Sequence, residues 1–144
     1  MITFNHLCGV ILQFQGRSIS RGRGTGPLLI SPAPISFLSG VDPETGIIVE
    51  KGHPLQGTCI AGAVLVFPYG KGSTVGSYIL YALSRNGHAP AAIVNAEAET
   101  IIATGAIIGN IPMIDHIALP PDTVRAGMHA VVDGDAGTIS VDVP

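Results

Sequence analysis

Phe67-Pro68-Tyr69-Gly70-Lys71-Gly72-Ser73-Thr74-Val75-Gly76-Ser77 joins an apolar run to a glycine-rich loop and then to an amphipathic segment. Upstream, Cys59 to Phe67 is apolar and reads as a buried strand. Downstream, Ser73 to Asn86 sets Val75, Tyr78, Ile79, Ala82 and Leu83 at spacings of three and four, with Gly87 at the expected stop. That stripe predicts a helix. Strand, glycines and helix in this order make an anion-binding arrangement, because glycines let the backbone approach a ligand while free N–H groups and the helix dipole face it. Ser73 falls at or near the N-cap. Its hydroxyl there either caps the first turn or stands ready to hydrogen-bond or deprotonate a substrate. Lys71, between two glycines, is placed to meet an anion. Gly70-Lys71-Gly72-Ser73 echoes the Gly-Lys-x-Ser of a phosphate loop. It lacks the upstream glycine and puts the lysine in the wrong register, which excludes that class of ATPase.

Around this centre, Leu28–Ser31, Ile47–Glu50, Ala91–Asn95 and Ile139–Val143 are short apolar or alternating runs bounded by Gly, Pro or Asp, and read as strands. Gly16 to Gly26 reads as a loop rich in Arg and Gly. Asp42-Pro43-Glu44-Thr45-Gly46 and Asp133-Gly134-Asp135-Ala136-Gly137 carry turn chemistry. Glu97 to Ala106 reads as a second, shorter helix with acids at its start and Gly105 fraying its end. Strands on both sides of helices argue for an α/β domain of mixed sheet around one core.

Composition limits the function classes. A chain of 144 residues has room for one domain. With 47% hydrophobic and 12% charged residues it is neither disordered nor comfortable as a free monomer, so a surface covered by another subunit is expected. A net charge of −3 provides no basic field for a phosphodiester backbone, and nucleic acid is not expected as a partner. Ile60 to Pro68 is broken by Gly62 and falls far short of the roughly 20 residues of a membrane span. Met1 to Phe14 has no basic start and is interrupted by His6 and Gln13, unlike a signal peptide, so a cytoplasmic protein is expected. Cys8 and Cys59 fit neither a disulfide framework nor a CxxC metal site, and Cys59 is expected to be a buried, inert thiol.

Several separate motifs agree, in order, with one family. They are Gly16-Arg17-Ser18-Ile19-Ser20 through Gly26-Pro27-Leu28-Leu29-Ile30-Ser31, Ser36-Phe37-Leu38-Ser39-Gly40-Val41-Asp42, Gly52-His53-Pro54-Leu55-Gln56-Gly57, and Gly70 through Ser77. From about Gly16 to Asp115 the chain resembles the small subunit of the aconitase X family. The resemblance implies a fold, an α/β class with a single swivelling β/β/α domain over residues 16–144, similar to the swivel domain of aconitase. Residues 1–15 would be an N-terminal extension or an extra strand. It also implies a partner, a large catalytic subunit that holds an iron–sulfur cluster, [4Fe-4S] by expectation, over which the small chain closes.

The same resemblance implies roles. The family's catalytic serine falls on Ser73, with Lys71, Gly72 and Thr74 expected against the substrate. In the wider superfamily this serine is followed by Ser and Arg, and the Arg grips a carboxylate; here Thr74 and Val75 stand instead. An anion must then be held by Lys71, the loop amides or the partner. One branch of the family dehydrates mevalonate 5-phosphate to trans-anhydromevalonate 5-phosphate in the archaeal mevalonate pathway; another dehydrates cis-3-hydroxy-L-proline. The Gly-Lys-Gly-Ser-Thr-Val-Gly-Ser form is similar to the first, and a lysine beside the loop suits a phosphorylated substrate. The chain is thus expected to be a hydro-lyase subunit, active only with its partner. A non-catalytic swivelling module that merely binds an anion is the alternative from another class.

Weaker expectations attach to the other ionisable residues. Two cysteines are too few for a cluster, so no cofactor is expected on this chain alone. Arg21 and Arg23 are read as solvated loop charges, His53 as a loop-orienting residue, and His88, His116 and His129 as isolated surface or turn residues. Glu97 and Glu99 are read as first-turn acids, and Asp42-Pro43-Glu44 as a turn.

Overall fold

The computed structural model describes residues 2–5 and 9–144, and Cys8 and His6 lie outside the described residues. The strands are β1 (Ile2–Asn5), β2 (Val10–Gln15), β3 (Arg17–Ser20), β4 (Arg23–Ile30), β5 (Ile35–Ser36), β6 (Val64–Phe67), β7 (Gly70–Lys71), β8 (Ala92–Asn95), β9 (Met113–Asp115), β10 (His129–Asp133) and β11 (Thr138–Val143). The helices are α1 (Gly76–Arg85), between β7 and β8, and α2 (Thr100–Ile108), between β8 and β9.

One sheet runs in the order β1-β2-β11-β10-β4-β6-β8-β9-β3. Its centre, β4-β6-β8-β9, is parallel; β10, β11 and β2 extend it antiparallel on one side and β3 on the other. Only Gly16 separates β2, paired to β11, from β3, paired to β9, so one bent strand joins the two flanks and closes the sheet on itself. Position 16 must be glycine for this closure, because a Cβ would strike the Asp115 carbonyl oxygen.

Alternation along the strands sorts two cores. Leu28, Val64, Ala92, Val94, Ala130, Val132, Ile139 and Val141 point into the ring. Leu65, Phe67, Ile93 and Met113 point outward, where Leu80 and Leu83 of α1 and Ile102 and Ala106 of α2 cover them. The helices pack so closely that a Cβ on Gly105 would lie 2.8 Å from Leu80 Cδ1 and 3.0 Å from Ser77 Cα. Gly105 is therefore a buried contact inside α2, and the helix runs on to Ile108; the fraying expected there does not occur.

Other expectations are revised. The Arg- and Gly-rich stretch is not a loop: it holds β3 and the start of β4, whose exposed positions carry the arginines. Ile47–Glu50 makes isolated bridges, Ile47 to Cys59 and Ile48 to Val41, rather than a strand. The strand expected over Cys59–Phe67 begins only at Val64, because Gly62 turns the chain at φ 71°. Cys59 consequently sits on the preceding loop with an exposed thiol, contrary to the buried one expected. Both expected turns form. Asp133–Gly137 links β10 to β11, with Gly137 at φ 77°, and Asp42 accepts from Thr45 and Gly46 N–H.

α1 ends as its sequence suggests. Gly87 is left-handed at φ 76°, and the N–H groups of Gly87 and His88 reach back to the carbonyls of Ser84 and Leu83, a Schellman stop. Among the described residues no helix is long and apolar enough to cross a membrane.

Candidate functional site

Beyond the carboxyl ends of β4 and β6 the chain makes two loops that meet. After β4 it forms the short strand β5 and the Ser36–Gly40 turn; after β6 it forms β7 and the Gly72–Val75 turn that enters α1. β5 and β7 pair in parallel, with Ile35 opposite Gly70 and Ser36 opposite Lys71. Phe37 and Phe67 pack beneath them, their rings tilted at 56° and 6.0 Å apart. Gly70 is pressed onto α2, where a Cβ would collide with Ile102. Gly72 has φ 104°, and a Cβ there would lie 2.8 Å from Ser36 Oγ. Two separate contacts therefore demand the two glycines around Lys71.

Buried groups at the strand ends hold this loop from behind. Asn95, fully buried at the end of β8, donates through Nδ2 to the Phe67 carbonyl at 3.0 Å, and Ala96 and Glu97 N–H both donate to the Pro68 carbonyl. Asp115, at the end of β9, is fully buried and accepts from Arg17 Nε at 2.9 Å, Arg17 Nη2 at 2.7 Å and Ala98 N–H at 2.8 Å. Burial alone would raise its pKa. The Arg17 and Ala98 hydrogen bonds and the guanidinium charge outweigh that and hold the carboxyl below its ordinary value. Glu99 caps α2, accepting from Ile101 and Ile102 N–H as expected of a first-turn acid.

Ser73 is not the N-cap of α1. The helix starts three residues later, with Val75 at the cap position in helical conformation and no side-chain cap bond. The Gly76, Ser77 and Tyr78 amides close onto the carbonyls of Ser73, Thr74 and Val75 in a tight lead-in turn, so the first-turn donors are already used. The free donors lie upstream: the Ser73 and Thr74 N–H groups have no partner among the described residues. Ser73 itself is exposed, and its Oγ accepts the Val75 N–H at 3.2 Å. Thr74 is exposed, and its carbonyl accepts from Ser77 Oγ.

Beside Ser73 opens a cleft of about 310 Å³, lined by Ser36, Ser39, Gly40, Glu50, Lys71 and Gly72. Lys71 and Gly72 line it, whereas Ser73 and Thr74, which follow Gly72 in sequence, are not among its lining residues. Ser39 is left-handed at φ 67°, an uncommon state for a side chain with Cβ. Glu50, which sequence reasoning passed over, reaches Lys71 Nζ at 3.4 Å. Its nearness to the Gly52-His53-Pro54 motif was the only available signal. Asn95 had none, because an Asn closing an apolar strand looks like a turn residue.

The remaining candidates fall elsewhere. His53 is buried and orients its loop as expected: Nδ1 accepts from Leu55 N–H, so Nε2 carries the hydrogen and donates to the Pro34 carbonyl. Arg21 and Arg23 are exposed and do not line the cleft. His116 is not isolated: it is left-handed at φ 60° and lies 3.1 Å from Glu97 Oε2 and 3.8 Å from Asp115 Oδ2. Glu97 accordingly serves as its partner rather than as a helix-turn acid. Glu97, Asp115 and His116 come close enough to share a cation. Both Asp115 oxygens are, however, already committed to Arg17 and Ala98, which makes the trio an ion-pair cluster. His129 faces Asp142 at 3.8 Å across the hairpin. An iron–sulfur cluster has no ligand set here, since Cys59 is the single cysteine among the described residues.

Comparison with known proteins agrees with this architecture. Residues 13–141 match the family described as the Aconitase X swivel domain. The phosphomevalonate dehydratase small subunit of Methanocella arvoryzae is 53% identical over 131 residues, which cover 90% of this chain and 99% of that protein. That of Thermococcus kodakarensis is 49% identical over 130 residues, 90% of this chain and 96% of that protein. Among solved structures, the holo-form crystal structure of Thermococcus kodakaraensis aconitase X is similar with a TM-score of 0.86 at 49% identity. The match covers 90% of this chain and 98% of that one.

Proposed function

The chain belongs to the aconitase X swivel domain family, and from that premise we propose that it is the small subunit of a phosphomevalonate dehydratase. This hydro-lyase would convert mevalonate 5-phosphate to trans-anhydromevalonate 5-phosphate, with Ser73 as the base. The support for the substrate is the roughly 50% identity, over nine-tenths of the chain, to small subunits that carry this name. The single observation that carries the role of Ser73 is its place: an exposed hydroxyl one residue beyond the cleft-lining Lys71-Gly72 pair, with its own amide and that of Thr74 unpaired among the described residues.

Dehydration of a β-hydroxy acid removes a proton beside a carboxylate and expels hydroxide. We assign the iron–sulfur cluster, and the Lewis acidity that hydroxide loss needs, to the large subunit. This chain's residues do the rest. The Val75 N–H bond and the positive end of α1 favour the deprotonated form of Ser73 Oγ, which takes the proton. Lys71 and the Ser73 and Thr74 amides receive the anionic end of the substrate. A serine alkoxide also needs a site shielded from water, and Ser73 is open in the isolated chain. The large subunit would therefore have to close over it.

The surface around Ser73 suits such closure. Tyr69, Val75 and Tyr78 are exposed, Tyr78 by 69%, on the loop and the first turn of α1. We place the large subunit over these side chains. The test is anaerobic reconstitution of this chain with a cluster-bearing large subunit, assayed for loss of water from mevalonate 5-phosphate and from cis-3-hydroxy-L-proline. Turnover of the phosphate alone is expected; turnover of hydroxyproline alone would overturn the substrate.

A further inference from the structure

Among the described residues, Lys71 and Glu50 are the only charged side chains lining the cleft, and they face each other at 3.4 Å. The empty cleft is therefore electrically neutral. It becomes cationic only if Glu50 lets go. We propose that Glu50 is a displaceable counter-ion for Lys71, which an incoming phosphate must replace, so that Glu50 sets the affinity of the site for anions. This rests on the reading of the cleft as the phosphate-binding part of a dehydratase site.

Three features make Glu50 a counter-charge rather than an anchor for the lysine. First, Lys71 is already placed by its backbone, in β7 opposite Ser36 and between two glycines that packing requires. Second, the pair is half open to solvent, with the Lys71 side chain 47% and the Glu50 side chain 30% exposed. Such a half-exposed pair is weak and exchanges readily. Third, Glu50 is seated by its own backbone and does not need Lys71 to hold it. Glu50 N–H and Val49 N–H both bond to the Gly40 carbonyl, and a side chain at position 40 would come within 3.2 Å of Glu50 Oε1.

The displacement follows from Coulomb's law. A phosphate dianion gains twice from Lys71 and adds the unpaired Ser73 and Thr74 amides, enough to displace one carboxylate. A monoanion exchanges one carboxylate for another and gains little. Glu50 thereby weakens binding overall, and only a ligand that gains more from Lys71 and the amides than the carboxylate did displaces it.

The experiment uses the reconstituted two-subunit enzyme with Glu50→Gln, Lys71→Ala and the double variant. It measures KM for mevalonate 5-phosphate and inhibition by inorganic phosphate and by acetate. Glu50→Gln is expected to tighten phosphate and lower KM by roughly three- to tenfold, to tighten acetate at least as much, and to do neither once Lys71 is alanine. A rise in KM on Glu50→Gln, as for Lys71→Ala, would make Glu50 an anchor and overturn the proposal. An equal gain with and without Lys71 would reduce it to general repulsion and overturn it as well. Should the complex act on an unphosphorylated hydroxy acid, the substrate reading fails by itself. Phosphate titration of this chain, wild type against Glu50→Gln, followed by NMR of the Ser73 and Thr74 amides, then decides the counter-ion on its own. Equal or weaker binding to the variant rejects it.

Discussion

The Ser73 hydroxyl has one donor aimed at it, the Val75 N–H, and among the described residues nothing takes its own proton. Alanine there removes the hydroxyl proposed as the base, and with it the Val75 N–H bond, while leaving the backbone hydrogen bonds of the turn in place. Ser73→Ala is expected to lower kcat by about 10²–10⁴-fold with subunit assembly unchanged, as read by steady-state kinetics and size-exclusion chromatography. Retention of full turnover would exclude the assignment. Asp115 is the other residue with a clear signature. Its carboxyl titrates below its ordinary value of 3.8 in the folded chain, so its contribution to stability is complete above about pH 4. That contribution is lost as pH falls through the lowered folded value. Asp115→Asn is expected to cost about 2 kcal/mol at neutral pH. Its denaturation midpoint should also fall less steeply than that of the wild type below pH 4.

Close packing of α1 on α2 makes Gly105 a sensitive position at the scale of elements. Gly105→Ala would gain about 1 kcal/mol of helix propensity. It would lose about 1–3 kcal/mol to overpacking against Leu80 and the Ser77 backbone. A net destabilisation of about 1 kcal/mol is expected in urea titration, and a stabilised variant would show that the helices can part. This pair of helices also marks how much was legible in the sequence. The α1 stripe of Ile79, Ala82 and Leu83 and the Gly87 stop were readable because period and stop are local. The late start of α1 was not, because Ser73 looks like a cap and only the spent amides of Gly76 to Tyr78 reveal otherwise. β3 and the start of β4 were hidden because their side chains are arginine, glycine and serine. Their strand character comes from partners in β9 and β10 more than 90 residues away. For the site, Ser73, Lys71, Gly72 and Thr74 came from motif resemblance. Glu50 became visible only when the Gly40 turn folded it across Lys71.

The whole molecule offers half a site on an open face. Tyr69, Val75 and Tyr78 are exposed on the loop and first helical turn that carry Ser73, a serine that water can reach. The isolated chain is expected to show no dehydration of mevalonate 5-phosphate at any concentration. Tyr78→Glu is expected to weaken association with the large subunit by tenfold or more, measured by interferometry, while leaving the denaturation midpoint of the free chain within about 0.5 kcal/mol. Loss of folding in Tyr78→Glu would instead show that the tyrosine is structural. The bend at Gly16 carries a different kind of consequence. β2 lies near the start of the chain, yet its partner β11 lies near the end, so Gln13 meets Ser140 across 127 positions of sequence. During synthesis the edge of β2 that β11 will occupy therefore waits unpaired while the 127 positions that separate Gln13 from Ser140 are made. The stave made early is fitted last, and a newborn chain is most exposed to edge-to-edge aggregation in that interval.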